Sequence, residues 1–350
     1  MFESFGFETL TAPQAAVWFG GLLGLAFGVL AQRSRFCLRR AVAGDPGERA
    51  SAGAVWLIAL AVALVGTQWA VSRGWVDFGA HRFMASDLPI VAIVVGGLLF
   101  GAGMVLTRGC VSRLTVLGAS GNLRALTVIA VFAITAHAAL KGLLAPVRTT
   151  LGSVTVALDP ALPGPVAIWV AVVAVAAIAL AVRVRLSWKL ALGGLLIGAL
   201  VPLGWAGTGF VLYDDFDPIA LESLSFTSPW AETLFFTVAS TSIPGSFGTG
   251  LIGGVLAGAL VASVIFRDFQ WQSFTSPRET GSYVLGGALM GLGGVLAGGC
   301  TVGAGLAGVP TLSIAALLAL ASIIAGARAV SAVSSGSAAP STTRPLQPAE

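Results

Sequence analysis

Gly24-Leu-Ala-Phe-Gly28-Val-Leu-Ala-Gln-Arg-Ser-Arg-Phe-Cys37 is one of four related stretches in a chain of 350 residues. The others are Gly97-Leu-Leu-Phe-Gly101…Cys110, Gly194-Leu-Leu-Ile-Gly198…Gly207 and Gly287-Ala-Leu-Met-Gly291…Cys300. Each sets Gly-x-x-x-Gly, then eight residues, then a position that is cysteine in three copies and Gly207 in the remaining one. The second and fourth copies match further, Gly103, Val105, Leu106 and Gly109 against Gly293, Val295, Leu296 and Gly299. The chain has no other cysteine, so all its thiols stand in repeat register, an arrangement that points to joint use.

Composition identifies the solvent around these repeats. The chain is 56% hydrophobic and 10% charged, with mean hydropathy +0.93, whereas a soluble domain carries about a quarter charged residues. Apolar runs recur along its length, and a helix crossing ~30 Å of hydrocarbon needs roughly 20 such residues. An all-α polytopic membrane protein follows, an inverted-repeat helical bundle with short or re-entrant pieces and about nine transmembrane spans. The apolar stretches are 12–31, 52–71, 88–107, 123–145, 165–185, 188–206, 246–266, 282–298 and 311–328. A tenth, 229–241, is too short to cross and is bracketed by Pro229 and Pro244, so it reads as a half-membrane segment. No positively charged signal-peptide start precedes the first span. The Ser/Ala/Pro/Thr-rich stretch 331–350 reads as a disordered cytoplasmic tail.

Orientation follows from the basic residues. With the N-terminus outside, 15 of the 19 Lys and Arg fall on the cytoplasmic side, leaving only Arg73, Arg82, Lys141 and Arg148 outside. The acidic connection holding Asp214, Asp215, Asp217 and Glu222 also falls outside. The first two repeat copies then run inward and the last two outward. Residues 1–150 and 151–330 become two halves of inverted topology, an architecture that places binding sites near mid-membrane where the repeats meet.

Each cysteine sits where an apolar helix gives way to a polar or glycine-rich turn. Gly109 and Gly299 beside two of the thiols let backbone approach a ligand, and N–H groups opening a following helix favour an anion. Cys300 approaches from outside, Cys37 and Cys110 from inside. Cysteine is also a small residue that packs helices well, which is the bland reading of any one of them. The odd count and the missing Cys-x-x-Cys argue against a disulfide framework. His81 and His137 lie outside the repeats, which leaves no zinc-like ligand set.

The stretches Phe27…Gln32-Arg33-Ser34-Arg35-Phe36-Cys37, Gly101-x-Gly-Met104…Arg108-Gly-Cys110, Gly204-Trp205…Thr208-Gly209 and Ala297-Gly-Gly-Cys300-Thr301-x-Gly303 together resemble the YeeE/YedE family of sulfur transporters. The resemblance spans nearly the whole chain apart from the tail. It implies uptake of thiosulfate across a bacterial inner membrane, without enzymatic turnover, along a central path through Cys300, Cys110 and Cys37 from outside to inside. It also implies a small cytoplasmic sulfur carrier of the TusA type as partner. Other sulfur or selenium compounds are alternative cargo, and a membrane thiol redox or sulfurtransferase component is the rival class. Expected partners are the ion, the lipid bilayer and the carrier; no nucleic acid, metal or cofactor is expected. Thiosulfate has a soft terminal sulfur that accepts S–H hydrogen bonds, and a ladder of weak sites suits conduction. The expected path comprises Cys37, Cys110, Cys300, Gly109, Gly299, Thr301 and Trp205, the last read equally as an interface aromatic. His137 and Glu232 stand as candidate buried titratable groups and Lys141 as a snorkelling one. The cluster Arg33, Arg35, Arg39 and Arg40 reads as an inside anchor or as a patch that draws the anion inward.

Overall fold

A computed structural model describes residues 11–214 and 216–337. Its helices are α1 (Ala12–Ser34), α2 (Leu38–Ala43), α3 (Pro46–Ser72), α4 (Ile90–Leu106), α5 (Val111–Ala119), α6 (Leu123–Lys141), α7 (Ala145–Gly152), α8 (Val166–Arg183), α9 (Trp188–Ala206), α10 (Thr227–Ala239), α11 (Phe247–Ile265), α12 (Pro277–Leu296) and α13 (Ile314–Ser337). Two π-helical stretches, Gly207–Val211 and Thr301–Gly308, extend α9 and follow α12. Asp87–Leu88 and Val156–Ala157 form a two-stranded antiparallel ribbon. Among the described residues, nine helical segments are long and apolar enough to span a membrane. The protein is therefore an all-α, multi-pass membrane protein. Sequence signals start several helices: Thr11 caps α1 in a capping box with Gln14, Ser246 caps α11, and Ser276 caps α12 ahead of Pro277.

The repeated glycines explain how the helices meet. A Cβ on Gly24 or Gly28 would run into the carbonyl oxygens of Leu251 and Val255 on α11. In the third copy, a Cβ on Gly194 or Gly198 would meet those of Val55 and Ala59 on α3. Gly101 of the second copy abuts Ile323 O on α13, and Gly287 and Gly291 of the fourth abut Val128 O and Phe132 O on α6. Small residues let backbones approach where lipid supplies no hydrophobic drive between helices. The pairing is thus α1 with α11 and α9 with α3, then α4 with α13 and α12 with α6, while α4 also packs on α12 and α1 on α9. Helix α8 packs mainly on α3 and has no counterpart in this scheme.

Burial separates the middle from the rim. In the segment Pro277–Thr311, 83% of the most apolar window is buried, against 6% for α8. The π-helical stretch Thr301–Gly308 is buried throughout, so this span lies at the centre. One expectation is corrected in part: α13 stays helical through Ser337, into the stretch expected to be a disordered tail. No proline interrupts the backbone before Pro340, so the intrahelical bonds continue. Residues 338–350 lie outside the described residues.

Candidate functional site

The three cysteines share one backbone geometry. Two residues before each, the chain enters the left-handed region, at Arg35 (φ 50°), Arg108 (φ 57°) and Gly298 (φ 75°). Each cysteine then adopts an extended conformation and caps the next element: Cys37 caps α2, Cys110 caps α5 and Cys300 caps the π-helical stretch. Left-handed backbone ends a helix abruptly, so the thiol lands in the break between two helical pieces. Non-helical backbone of this kind persists at membrane depth only where protein buries it or a cavity adjoins it. All three thiols are buried and free.

The inner pair touches. Cys37 Sγ lies 3.7 Å from Cys110 Sγ, and Cys110 Sγ lies 3.2 Å from Ser112 Oγ. Cys37 also lines a cavity of about 210 Å³ with Arg33, Ser34, Arg35 and Arg40. A neighbouring cavity of about 290 Å³ is lined by Gln32, Arg35, Arg113 and Asp268. Arg33 faces Asp268 at 3.9 Å and the Phe266 ring, and Arg40 pairs with Glu48 at 2.8 Å. Arg35 and Arg113 have no acidic partner among the described residues, so they dominate the local field. Arg113 donates to Ala31 O at 3.3 Å.

Cys300 makes a different contact. Its Sγ receives the Gly303 N–H at 3.3 Å, and among the described residues neither other thiol is within hydrogen-bonding range. The expected column is therefore continuous in sulfur contact only for its inner pair. Gly303 and Ala307 form part of the wall of a cavity of about 420 Å³ that also presents His81, Arg82, Trp205, Glu222, Ser225 and Ser228. Burial, helped by Arg82, lowers the His81 pKa to about 4, leaving the ring neutral near pH 7. Its Nδ1 accordingly accepts the Phe83 N–H at 3.3 Å. Burial, reinforced by Glu232 and opposed by Arg82, raises the Glu222 carboxyl to about 7.

The remaining expected residues divide. Gly109 is buried, and a side chain there would press on Leu114; Gly299 is packed so tightly that a Cβ would meet Ala304 N at 2.7 Å. Thr301 is buried with its Oγ1 unpartnered. Trp205 is buried at the cavity wall, edge-on to Phe78 and His81, rather than at an interface. Gly207 replaces cysteine in the third copy because the Phe19 ring fills the space a side chain would need. There the helix is not broken but passes through a π-helical turn, and Thr208 Oγ1 accepts Glu222 N–H at 3.1 Å, pinning the acidic loop.

Glu232 is exposed and accepts from Ser246 Oγ at 3.0 Å, so it is not the buried acid expected; its helix turns it away from the packed side. His137 packs against the Phe235 ring at 4.8 Å in a cavity with Lys141, Arg148 and Glu232, away from the thiols. The helix start expected behind each thiol is reduced at Cys37, since α2 has only six residues. Sequence reasoning missed Arg82, Ser225 and Ser112. Arg82 did carry a signal, as one of four basic residues on the side expected to lie outside.

Residues 33–329 match a family profile described as sulphur transport. The chain is 26% identical over 326 residues to the thiosulfate transporter TsuA of Spirochaeta thermophila, covering 87% of this chain and 94% of that one. It is also 26% identical over 319 residues to the thiosulfate transporter TsuA of Escherichia coli, covering 82% and 86%. A match over most of the chain, on a multi-pass helical frame, makes this protein a member of the sulphur transport (YeeE/YedE) family.

Proposed function

We propose that this protein carries thiosulfate inward across the bacterial cytoplasmic membrane, from the Arg82 vestibule past Cys300 and Cys110 to Cys37 and the arginine-lined inner cavity. The observation that carries the proposal is the 3.7 Å contact of Cys37 and Cys110 at two helix breaks, one thiol opening on the basic cavity. The names of the two relatives support the choice of ion. Helix pairing between glycine stripes supports two halves of inverted topology, about 1–150 and 151–330. The Lys/Arg distribution supports an N-terminus outside and a C-terminus in the cytoplasm.

The ion moves by exchanging S–H···S contacts, its own S–S bond intact. Cys110 and Cys37 are close enough for the terminal sulfur to leave one thiol as it meets the next. Weak contacts at each step permit release as well as capture. Arg35 and Arg113 draw the dianion to the inner mouth, where a small sulfur carrier of the TusA type receives it. No chemical turnover is required of the protein.

Uptake of labelled thiosulfate by the purified protein in liposomes tests the proposal. Replacing Cys37, Cys110 or Cys300 by Ala lowers uptake by about tenfold or more, and sulfate is not carried at comparable rates. Undiminished uptake in all three variants overturns the thiol path. Arrival of the two sulfur atoms in separate products overturns the non-covalent relay.

A further inference from the structure

The inner thiol pair is arranged for chemistry that the relay does not use. Cys37 Sγ and Cys110 Sγ are 3.7 Å apart, a non-bonded contact, whereas a disulfide holds two sulfurs at ~2.05 Å. A change of χ1 rotamer moves a sulfur over a comparable distance. Neither side chain is tied to its own helix: both residues are extended caps without a side-chain capping bond. Cys37 is 5% exposed and lines the 210 Å³ cavity, while Cys110 is 1% exposed and rests on the Ser112 hydroxyl at 3.2 Å. A small oxidant in that cavity therefore meets Cys37 first, with Cys110 in contact behind it. Arg35 lines the same cavity and has no acidic partner among the described residues. Electropositive, partly open surroundings mark the thiols that oxidise, and a second thiol in contact resolves the product. Cys300 lacks such a neighbour: its Sγ receives the Gly303 N–H at 3.3 Å, and neither other thiol is within hydrogen-bonding range among the described residues.

We propose that Cys37 and Cys110 form a reversible oxidation site for hydrogen peroxide, and that their disulfide closes the path. The proposal rests on the transport reading above and names how that path is regulated. The Cys37 sulfur attacks the peroxide: the O–O bond breaks, a Cys37 sulfenic acid forms, and the thiol proton leaves with the displaced oxygen as water. The Cys110 sulfur then attacks the Cys37 sulfur: the S–O bond breaks, the S–S bond forms, and the hydroxyl leaves with the Cys110 proton as a second water. The two thiols lose two electrons and two protons, and the peroxide takes them up. A disulfide has no S–H to donate, so the inner two sites no longer hold the soft sulfur of the ion. The new bond also occupies the contact through which that sulfur passes from one thiol to the next. Pairing keeps the oxidation reversible, because a sulfenic acid without a neighbouring thiol goes on to sulfinic acid, which simple thiols do not reduce. A dithiol returns the electrons and protons by exchange and reopens the path.

The test treats the full chain in detergent with limiting hydrogen peroxide, counts free thiols after denaturation and maps the linked peptides by mass spectrometry. The count falls from three to one, and the linked peptide joins Cys37 to Cys110. In liposomes the same treatment abolishes thiosulfate uptake, and dithiothreitol restores it. Cys300→Ala still forms the linked peptide. Cys110→Ala instead accumulates sulfinic acid at Cys37 that dithiothreitol leaves in place. Both variants are read by mass, independently of transport. Three free thiols after peroxide, or a disulfide that includes Cys300 or joins two copies of the chain, overturns the site. Native uptake by protein carrying the Cys37–Cys110 bond overturns its closing of the path. If a variant does not fold, the thiol count and peptide map of the native chain decide alone. Should the reduced native protein take up no thiosulfate, the transport reading fails separately, and the oxidation site stands or falls on those two measurements.

Discussion

A cysteine placed as an extended cap leaves its sulfur outside the helical hydrogen-bond ladder. Cys37 and Cys110 make no capping bond to their own helices, so their sulfurs meet each other and Ser112 instead. Cys300 differs, its sulfur receiving the Gly303 N–H. The vestibule has its own titrating group. Glu222 has a pKa raised to about 7, so between pH 8 and pH 6 it gains a proton and the cavity becomes less negative. His81, with a pKa lowered to about 4, stays neutral across that interval, and the Arg82 guanidinium supplies the positive charge of the same cavity. Capture of an anion therefore strengthens as the outer pH falls: KM for uptake drops by about threefold from pH 8 to pH 6, the order expected for one screened charge. Glu222→Gln holds KM low at both values. An equal pH response in that variant would show that another group is responsible.

At the scale of elements, the controlling device is the helix that stops short. Arg35 and Arg108 hold left-handed backbone that a non-glycine residue adopts at some cost, about 1 kcal/mol or more each. Glycine stripes then bring the helices close enough to bury the breaks. Helix α11 offers an internal contrast. A Cβ on Gly254 would strike the backbone of Gly21 on α1, whereas nothing lies within 4 Å of one on Gly253. Gly254→Ala destabilises the protein by about 1–3 kcal/mol through overpacking. Gly253→Ala is neutral or stabilises by roughly 0.5–1 kcal/mol through helix propensity. Thermal unfolding in detergent separates them, and equal melting points would show that α1 and α11 do not pack through this stripe.

For the whole molecule, the test is sidedness. In a protein lacking Cys110 and Cys300, a membrane-impermeant thiol reagent reaches Cys37 from the cytoplasmic face of oriented vesicles and not from outside. In a protein lacking all three native cysteines, Ser228→Cys on the vestibule wall reacts only from outside. Labelling of both from one face would refute the N-out arrangement and the inward direction together.

Span number, the short α10 and the cysteine register were all legible in the chain, because hydrophobic length and glycine spacing are local properties read residue by residue. The left-handed turns before the thiols were hidden, since the residues there are Arg35, Arg108 and Gly298, with no shared side-chain chemistry. Glu232 looked buried by neighbourhood yet is exposed, and Trp205 could not be told from an interface aromatic until Phe78 and His81 closed around it. By itself the sequence determined a helical membrane protein with three equivalent thiols. Only the tertiary structure decided that Cys37 touches Cys110, that Phe19 excludes a side chain at Gly207, and that Trp205, Ser225 and Gly303 line one cavity. Those facts depend on contacts between residues tens to hundreds of positions apart, and no local pattern encodes which surfaces will close on one another.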